Sequence, residues 1–397
     1  MQFHVLGLGP LGSLIAHHLR RAISPSHSIT LLYSKASVLR RAPNALHVET
    51  AGALSSSSGF VYETFEPPAT PQAVSQGPIE SLLVTTRLNN TLHAIRRLLP
   101  RLSPNSTIVL VQNGLGVYEQ LCQNLFRNAH ERPHFIFATS THATLFPSPS
   151  ALYAGRPTLL QSAVGDIEFS IAPDPNGRNF ESGLLDQTVH ASERRPRLSD
   201  IAVPEGDHLF HRYRSLRNTV AALLLAEPLN ARWKSMAHVQ LALRRQVAVK
   251  SVIHPLTAIM GCRNGDVFST PHAMRLAAKL CQETSDVYRA QIRDEAEAWL
   301  ADNEGQSTSL LGLARLPRVL ETESLTRECL NAAQSSPMTI STMLAAVRHG
   351  RRTEVDYLNG YLARLGKTYG VQMPTHAAMY NLVRMRSAVP QVLDKIF

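Results

Sequence analysis

The stretch FHVLGLGPLG, residues 3–12, decides the fold of the first part of the chain. Its apolar run predicts a β-strand, and the glycine motif GxGxxG follows that strand directly and opens a helical stretch. In this context Gly7 permits a tight turn, Gly9 lets a pyrophosphate approach the backbone, and Gly12 lets helix and strand pack closely. The alternative is a glycine-rich turn that holds no ligand. The predicted dinucleotide contacts are the six motif residues Gly7, Leu8, Gly9, Pro10, Leu11 and Gly12.

Outward from this motif, short apolar runs alternate with helical stretches. The next runs of this kind are ITLLYS (29–34), SLLVTTR (81–87), STIVLVQNG (106–114) and HFIFATSTHAT (134–144). Such alternation predicts an α/β Rossmann domain with a parallel, doubly wound sheet over residues 1–173. Residues 215–397 show apolar positions at helical spacing, which predicts an all-α domain for substrate and catalysis. Residues 174–214 are rich in polar residues, Gly and Pro, which favours an inserted loop or linker that can be removed without loss of cofactor binding.

The end of the second predicted strand indicates which dinucleotide is bound. An NAD enzyme usually carries an acidic residue there, whereas this chain has Ser34 and Lys35, followed by Arg40 and Arg41. Ser34 can donate a hydrogen bond to a 2′-phosphate and Lys35 can neutralise it, which predicts NADP (NADPH) as the cofactor. The two arginines are equally consistent with an ordinary solvated surface.

Composition and charge narrow the function classes. With 397 residues, of which 44% are hydrophobic, the chain is long enough for two domains. Its net charge of +10 favours an anionic ligand. Nucleic acid is disfavoured, because only 6% of residues are aromatic and no stripe alternates aromatic with basic residues. No apolar run could span a bilayer, the cysteines form no CxxC pair, and the first strand leaves no room for a leader. We therefore expect an intracellular protein without a metal site, cytoplasmic or alternatively mitochondrial, and not secreted.

Several further segments strengthen the assignment when they are taken together. They are VQNGLG (111–116), THA (141–143), PLTAI (255–259), CRNG (262–265), STML (341–344) and RTEVDYLNG (352–360). In this order and spacing, and with the glycine motif, the chain resembles the ketopantoate reductase family outside residues 174–214. Members of that family reduce 2-dehydropantoate to pantoate with NADPH in pantothenate biosynthesis. The resemblance implies a helical domain of the 6-phosphogluconate dehydrogenase-like type, a small 2-keto acid substrate, and a homodimer through the helical domain or a monomer.

The resemblance also implies roles for individual residues. Asn113 stands in the family's asparagine-glycine turn near nicotinamide and substrate; the alternative is a turn asparagine in a left-handed conformation. Arg87 keeps a positive charge where the family usually carries a lysine near the cofactor. Thr342 stands at the substrate-binding serine and keeps its hydroxyl group. Glu354 stands at the glutamate that supports the active site; the alternative is a solvated partner of a neighbouring arginine.

The family pattern breaks on the helix that enters the PLTA segment. The family carries there a tryptophan, a lysine regarded as general acid and substrate binder, and two asparagines. Alignment on PLTA places at these four positions Arg244, Gln246, Lys250 and His254. Hydride addition to a ketone creates an alkoxide that must be protonated and stabilised. Glutamine can donate a hydrogen bond to it but cannot supply the proton.

The substituted helix nevertheless keeps ionisable groups on one face. Gln246, Lys250 and His254 are spaced by four residues and share a helix face, with Lys250 one turn, about 5.4 Å, from the missing lysine. His254 can supply or relay a proton near neutral pH. The candidate catalytic residues are Lys250, His254 and Glu354, and the candidate substrate-binding residues are Asn113, Lys250, His254 and Thr342. The alternative for Lys250 is a surface lysine on an amphipathic helix.

Three hypotheses for the function follow. In the first, Lys250 takes over the lysine's role and the protein is an active ketopantoate reductase. In the second, the protein reduces a different 2-keto acid. In the third, catalysis is impaired and the fold serves as a binding protein, for RNA or in a mitochondrial assembly.

Overall fold

A computed structural model describes residues 1–34, 42–65, 77–112, 114–147, 158–302 and 315–389 of the chain. Contacts between Cα atoms divide the protein into two compact units. The first unit comprises Met1–Asn113 and Val117–Leu241, and the second comprises Gly114–Gly116 and Ala242–Phe397. Among the described residues, no helix is both long and apolar enough to cross a membrane.

The first unit contains two β-sheets. Their strands are β1 (Gln2–Leu6), β2 (Ser28–Tyr33), β3 (Ala45–Thr50), β4 (Ala53–Ser58), β5 (Val61–Thr64), β6 (Ser81–Val84), β7 (Thr107–Val111), β8 (His134–Ser140), β9 (Ala143–Leu145), β10 (Thr158–Ala163), β11 (Ile167–Ile171) and β12 (Ala231–Trp233). The larger sheet has the order β12-β11-β8-β7-β6-β1-β2-β5, and the smaller has the order β4-β3-β10-β9. From β8 to β5 the larger sheet is parallel throughout, as the alternating pattern predicts.

The strand order reverses beside β1. The chain runs from β1 outward to β2 and β5 and then returns to β6 on the other side of β1. The last four residues of β1 and all residues of β6 and β7 are buried, which explains why these strands are mainly apolar. In open α/β sheets, ligands bind at the carboxyl ends of the strands where the order reverses.

Helices cover the sheet of the first unit. They are α1 (Pro10–Ala22), α2 (Leu88–Leu98), α3 (Val117–Asn124), α4 (Ser182–Leu185), α5 (Leu198–Ile201) and α6 (Phe210–Leu225). Helix α1 begins with proline at its first position, where the missing N–H costs no hydrogen bond. Its side chains Leu14, Ile15 and Leu19 are buried in the core with the strands.

Residues 174–214, predicted as an inserted loop or linker, contain irregular stretches and short helices. The segment contains α4, α5 and the start of α6. Its apolar residues are sparse, but Phe180, Ile201 and Tyr213 all lie in the hydrophobic core of the first unit. Arg178 and Asp207 form an ion pair of 2.7 Å across it. Low apolar density therefore did not indicate an absence of core contacts, because some of the few apolar side chains are buried, although others such as Leu185 are exposed.

The insertion leaves the larger sheet at the edge opposite to the carboxyl ends of β1 and β6. Strand β11 runs antiparallel to β8, so its last residue, Ile171, pairs near the start of β8. The segment returns to the same edge, because His134 Nε2 at the start of β8 lies 2.9 Å from the carbonyl oxygen of Arg212. Ser215 Oγ likewise lies 3.0 Å from Thr107 Oγ1 at the start of β7.

The second unit is helical, as the sequence predicts, but it begins later than residue 215. Its helices are α7 (Met236–Met260, of which residues 242–260 lie in this unit), α8 (Pro271–Asp302), α9 (Thr322–Ser335), α10 (Thr342–Arg348), α11 (Asn359–Thr368) and α12 (Pro374–Ala388). Residues 215–241 belong to the first unit, since α6 packs on the sheet and β12 extends it. Helical periodicity alone could not separate a helix that covers a sheet from one in an all-α unit.

Candidate functional site

The glycine turn between β1 and α1 is shaped by close backbone packing. Gly7 has φ +103°, and a Cβ atom there would lie 2.5 Å from the backbone nitrogen of Thr86. A Cβ atom at Gly12 would overlap the carbonyl oxygen of Gly7. At Gly9, in contrast, a Cβ atom would meet no protein atom within 4 Å. Two glycines are therefore required by packing, and Gly9 faces open space where a ligand can approach.

The first turn of α1 is open to an anion. Gly9 is the N-cap residue and supplies no side-chain hydrogen bond, and no acidic residue lies in the first turn. Free N–H groups and the helix dipole favour negative charge at such a terminus. Ser34, directly after β2 on the same sheet edge, is exposed. Lys35, with Arg40 and Arg41, lies outside the described residues.

The turn after β6 joins this edge from the other side of β1. Thr85 Oγ1 donates to the carbonyl oxygen of Gly7 at 2.5 Å. Arg87 is the exposed N-cap of α2. The amide of Gln112, at the end of β7, donates to the carbonyl oxygen of Thr86 at 2.5 Å. The sequence pattern predicted no role for Gln112, whose hydrogen bond connects the ends of the neighbouring strands β6 and β7. Its neighbour Asn113 lies outside the described residues.

A second group of polar side chains lies on α7 in the second unit. Gln246, Lys250 and His254 fall on successive turns, as the spacing predicts. Burial lowers the pKa of Lys250 to about 8, although the carboxylate of Glu354 raises it in part. Burial, with the charge of Lys250, lowers the pKa of His254 to about 3. Gln246 Oε1 and His254 Nδ1 are buried and have no hydrogen-bond partner within the described part of the chain.

These pKa shifts bear on the role expected of His254. With a pKa of about 3, His254 is neutral near pH 7 and cannot act there as a proton-donating imidazolium. Lys250 keeps most of its positive charge near pH 7, because its pKa of about 8 lies above that pH. A partly buried lysine with a pKa close to the working pH has the property required of a general acid. The alternative of an ordinary surface lysine does not fit its burial.

Two other predicted residues lie in short elements of the same unit. Glu354 begins the 3-10 turn Glu354–Tyr357 and acts electrostatically on Lys250. Thr342 begins α10 and is exposed, whereas its neighbour Ser341 is buried. Ser341 Oγ caps α10 by accepting from the Leu344 N–H at 3.0 Å and lies 2.7 Å from Thr257 Oγ1 of α7. Sequence analysis missed Ser341, although a serine before an apolar helical run is a typical N-cap.

Gly116 and Tyr361 form another contact within the second unit. Gly116 has φ +91°, and a Cβ atom there would lie 3.0 Å from Cδ2 of the Tyr361 ring. Glycine is therefore required at this position both by the left-handed backbone and by the ring. The contact joins the VQNGLG segment to α11, the helix that follows Glu354.

Two family models match the chain. The one described as "Ketopantoate reductase PanE/ApbA" matches residues 3–156, and "Ketopantoate reductase PanE/ApbA C terminal" matches residues 238–387. The chain belongs to the ketopantoate reductase family. Ketopantoate reductases are oxidoreductases that act on a small keto acid. The matched ranges leave out residues 157–237, which include the insertion.

Individual relatives cover most of this ketopantoate reductase family member. A Schizosaccharomyces pombe protein named "Probable 2-dehydropantoate 2-reductase" is 24% identical over 394 residues, which are 96% of this chain and 95% of the relative. The 2-dehydropantoate 2-reductase of Yersinia pestis is 28% identical over 309 residues, 78% of this chain and 75% of its own. A solved structure of D-mandelate dehydrogenase with NADH and anilino(oxo)acetate shares the fold, with a TM-score of 0.64, 13% identity and 98% of each chain covered.

Proposed function

We propose that this protein is an NADPH-dependent reductase of ketopantoate in which Lys250 performs the role of the family's displaced lysine. The observation that carries the proposal is the state of Lys250: a partly buried ammonium group with a pKa of about 8, influenced by the carboxylate of Glu354. Gln246, on the turn before it, and His254, on the turn after it, each have a buried polar atom that finds no partner among the described residues. This row of polar groups on one face of α7 could form hydrogen bonds with a polar substrate.

The first unit fits a dinucleotide. The space at Gly9 would receive the pyrophosphate, and the N–H groups of the first turn of α1 would bind its oxygens. Ser34 and Lys35 would bind the 2′-phosphate that distinguishes NADPH from NADH, and Arg87 and Asn113 would line the cofactor. NADPH, when bound, supplies the hydride for reduction of the keto group.

Lys250 would protonate and stabilise the oxygen of the substrate's keto group. Reduction of the keto group would place negative charge on its oxygen, and Lys250 Nζ would donate a proton to that oxygen. Glu354 holds the lysine protonated by raising its pKa against the effect of burial. His254, being neutral, would serve as a hydrogen-bonding group and not as the acid. Thr342, exposed at the start of α10, would bind the substrate through its hydroxyl group.

Turnover tests the proposal directly. Purified protein is mixed with NADPH and ketopantoate, and the absorbance of NADPH is followed; steady oxidation that depends on ketopantoate is expected. The same assay with a panel of other 2-keto acids tests the second hypothesis, which the shared fold of D-mandelate dehydrogenase motivates. If the rate with another keto acid exceeds that with ketopantoate at equal concentration, the substrate assignment is wrong.

The second candidate function is a catalytically impaired binding protein, which Gln246 at the family's lysine position favours. Its signature is a tight NADPH complex without turnover of any keto acid. Gln246→Lys is the decisive variant, because it restores the family's residue on the same helix face. An inactive wild type with an active Gln246→Lys variant would show that the scaffold survives while the chemistry has decayed. An active wild type rejects this candidate.

Two broader predictions accompany the proposal. We place the protein in the cytoplasm, with mitochondria as the alternative, and cell fractionation checks this. We also expect a homodimer formed through the helical unit, which light scattering of the purified protein would detect.

A further inference from the structure

Pro255 interrupts the backbone hydrogen bonding of α7 next to Lys250 and His254. Each N–H group in an α-helix donates to the carbonyl oxygen four residues earlier, but proline has no N–H. Pro255 lies inside α7, so the carbonyl oxygen of Ser251 lacks the N–H donor that residue 255 would otherwise supply. Ser251 directly follows Lys250 and is fully buried. A buried carbonyl oxygen without a donor is costly, so a replacement donor is required.

Asn359 supplies that donor. Its amide nitrogen Nδ2 donates to the carbonyl oxygen of Ser251 at 2.9 Å, across 108 residues of sequence. Asn359 is itself fully buried, and it is the first residue of α11. It follows the 3-10 turn Glu354–Tyr357 after a single intervening residue. One side chain therefore ties the helix turn after Lys250 to the segment that carries Glu354.

A buried histidine orients the amide. Asn359 Nδ2 also lies 3.1 Å from Nδ1 of His376. His376 Nε2 lies 3.0 Å from the carbonyl oxygen of Leu280 and 2.9 Å from the hydroxyl of Thr284. Because Leu280 offers an acceptor, Nε2 carries the ring proton and Nδ1 accepts from Asn359. Both amide hydrogens of Asn359 are thereby used, one on His376 and one on Ser251.

We propose that Asn359 is a positioning residue for Lys250: it replaces the hydrogen bond that Pro255 removes and so fixes Lys250 relative to Glu354. The proposal rests on the function proposed above, which gives Lys250 its role. Asn359 itself touches none of the reacting groups. Its effect is exerted through the backbone of α7 between Lys250 and His254.

A double-variant cycle tests this inference. Asn359→Leu keeps the size of the side chain but removes the donor, and kcat should fall by roughly tenfold to a hundredfold, as expected for a displacement of about 1 Å. Pro255→Ala restores a backbone N–H at the position that serves Ser251. The double variant Pro255→Ala/Asn359→Leu should therefore recover kcat to within roughly threefold of Pro255→Ala alone. Asn331→Leu, at an exposed position of α9, is the matched control.

The ionisation of Lys250 separates positioning from simple stabilisation. Lysine-selective NMR, with the Lys250 signal assigned through Lys250→Arg, reports its pKa in each variant without any need for turnover. Because Glu354 raises the pKa of Lys250, displacement in Asn359→Leu should lower it, and the double variant should restore it. If Asn359→Leu does not fold, the double variant must fold and show the wild-type Lys250 pKa.

The outcomes distinguish this inference from the proposed function. A wild type without turnover would reject the proposed function, and the Lys250 pKa series would still decide the role of Asn359. A folded Asn359→Leu variant with an unchanged Lys250 pKa and an unchanged pH profile would reduce Asn359 to a structural residue and overturn the inference. Failure of the double variant to recover the Lys250 pKa would overturn it as well.

Discussion

His254 lies one helical turn after Lys250 on α7, and burial together with the charge of Lys250 lowers the pKa of its imidazole so that the ring is neutral near pH 7. Burial is the larger cause of the low pKa of His254, about 3, and the positive charge of Lys250 adds to it. Two cations on adjacent turns of a buried helix face would repel each other, so only one of the pair carries charge near neutral pH. Lys250 is that one, because Glu354 favours its protonated form.

Replacing Lys250 should therefore remove catalysis and spare cofactor binding. We expect Lys250→Met to lower kcat by on the order of 10²–10³, the effect of losing one donor to a developing oxyanion. The Kd for NADPH, measured by fluorescence titration, should stay within about twofold of wild type. Lys279→Met, at an exposed position of α8, is the control and should leave both values unchanged. Equal turnover of wild type and Lys250→Met would mean that another group supplies the proton.

The pH profile should have an alkaline limit set by Lys250. A general acid must be protonated to act, so kcat/KM for keto acid reduction should be level below pH 8 and decline as pH rises through the pKa of Lys250, about 8. Glu354→Gln should move this limit to lower pH, because the carboxylate raises that pKa. His254→Asn should leave the profile between pH 6 and 9 unchanged. A limit that stays in place in Glu354→Gln would contradict the pairing of Glu354 with Lys250.

Substitution of Gly9 should affect cofactor binding, whereas substitution of Gly12 should affect stability. A Cβ atom at Gly9 meets no atom of the described residues within 4 Å, so Gly9→Ala should fold with an unchanged Tm and lose NADPH binding, as should the bulkier Gly9→Val. A side chain at Gly12 overlaps the Gly7 carbonyl, so Gly12→Ala should cost about 1–3 kcal/mol of folding free energy. Thermal melts with and without NADPH separate the two effects. Retained NADPH affinity in Gly9→Val would remove the dinucleotide assignment.

The cofactor preference should depend on Ser34. Wild type should bind NADPH more tightly than NADH, because no acidic residue follows β2. Ser34→Asp should weaken NADPH binding by roughly tenfold to a hundredfold, the equivalent of losing a charge-assisted hydrogen bond. Ser26→Asp, before the same strand at the other sheet edge, is the control. Calorimetric titration checks this, and a wild type that prefers NADH would refute the assignment.

The insertion should be necessary for stability. Phe180 is 4% exposed and packs edge-on against Tyr213 at 6.0 Å between ring centroids. Phe180→Ala should lower the free energy of unfolding by about 3–5 kcal/mol, measured by urea denaturation. Leu185→Ala in the same segment should change it little, because Leu185 is 69% exposed. A small effect of Phe180→Ala would instead indicate that the insertion contributes little to stability and can be removed, as the sequence predicts.

Local patterns predicted the fold well wherever a feature depends on neighbouring residues. The GxGxxG turn, the parallel strands and the shared face of Gln246, Lys250 and His254 all follow from short-range spacing. The unit boundary did not, because α6 is helical in sequence and its membership depends on the sheet that it covers. The neutral state of His254 also could not be predicted, because it is set by burial and by Lys250 in the folded chain.

The role proposed for Asn359 also could not be predicted from local sequence patterns. Pro255 within a helical pattern signals an orphaned carbonyl oxygen, but nothing local identifies its donor. The donor comes from a residue 108 positions away. Only the packed structure joins the two.

The antiparallel course of β11 places the insertion and the glycine turn on opposite rims of the larger sheet. Residues 174–214 depart from one rim and return to it, whereas the cofactor edge lies on the other. Lengthening or rewriting the insertion therefore changes core packing and surface without altering the loops at Gly9 or Ser34. For the same reason, a fluorescent label attached at exposed Leu185 would report folding of the protein without obstructing its cofactor.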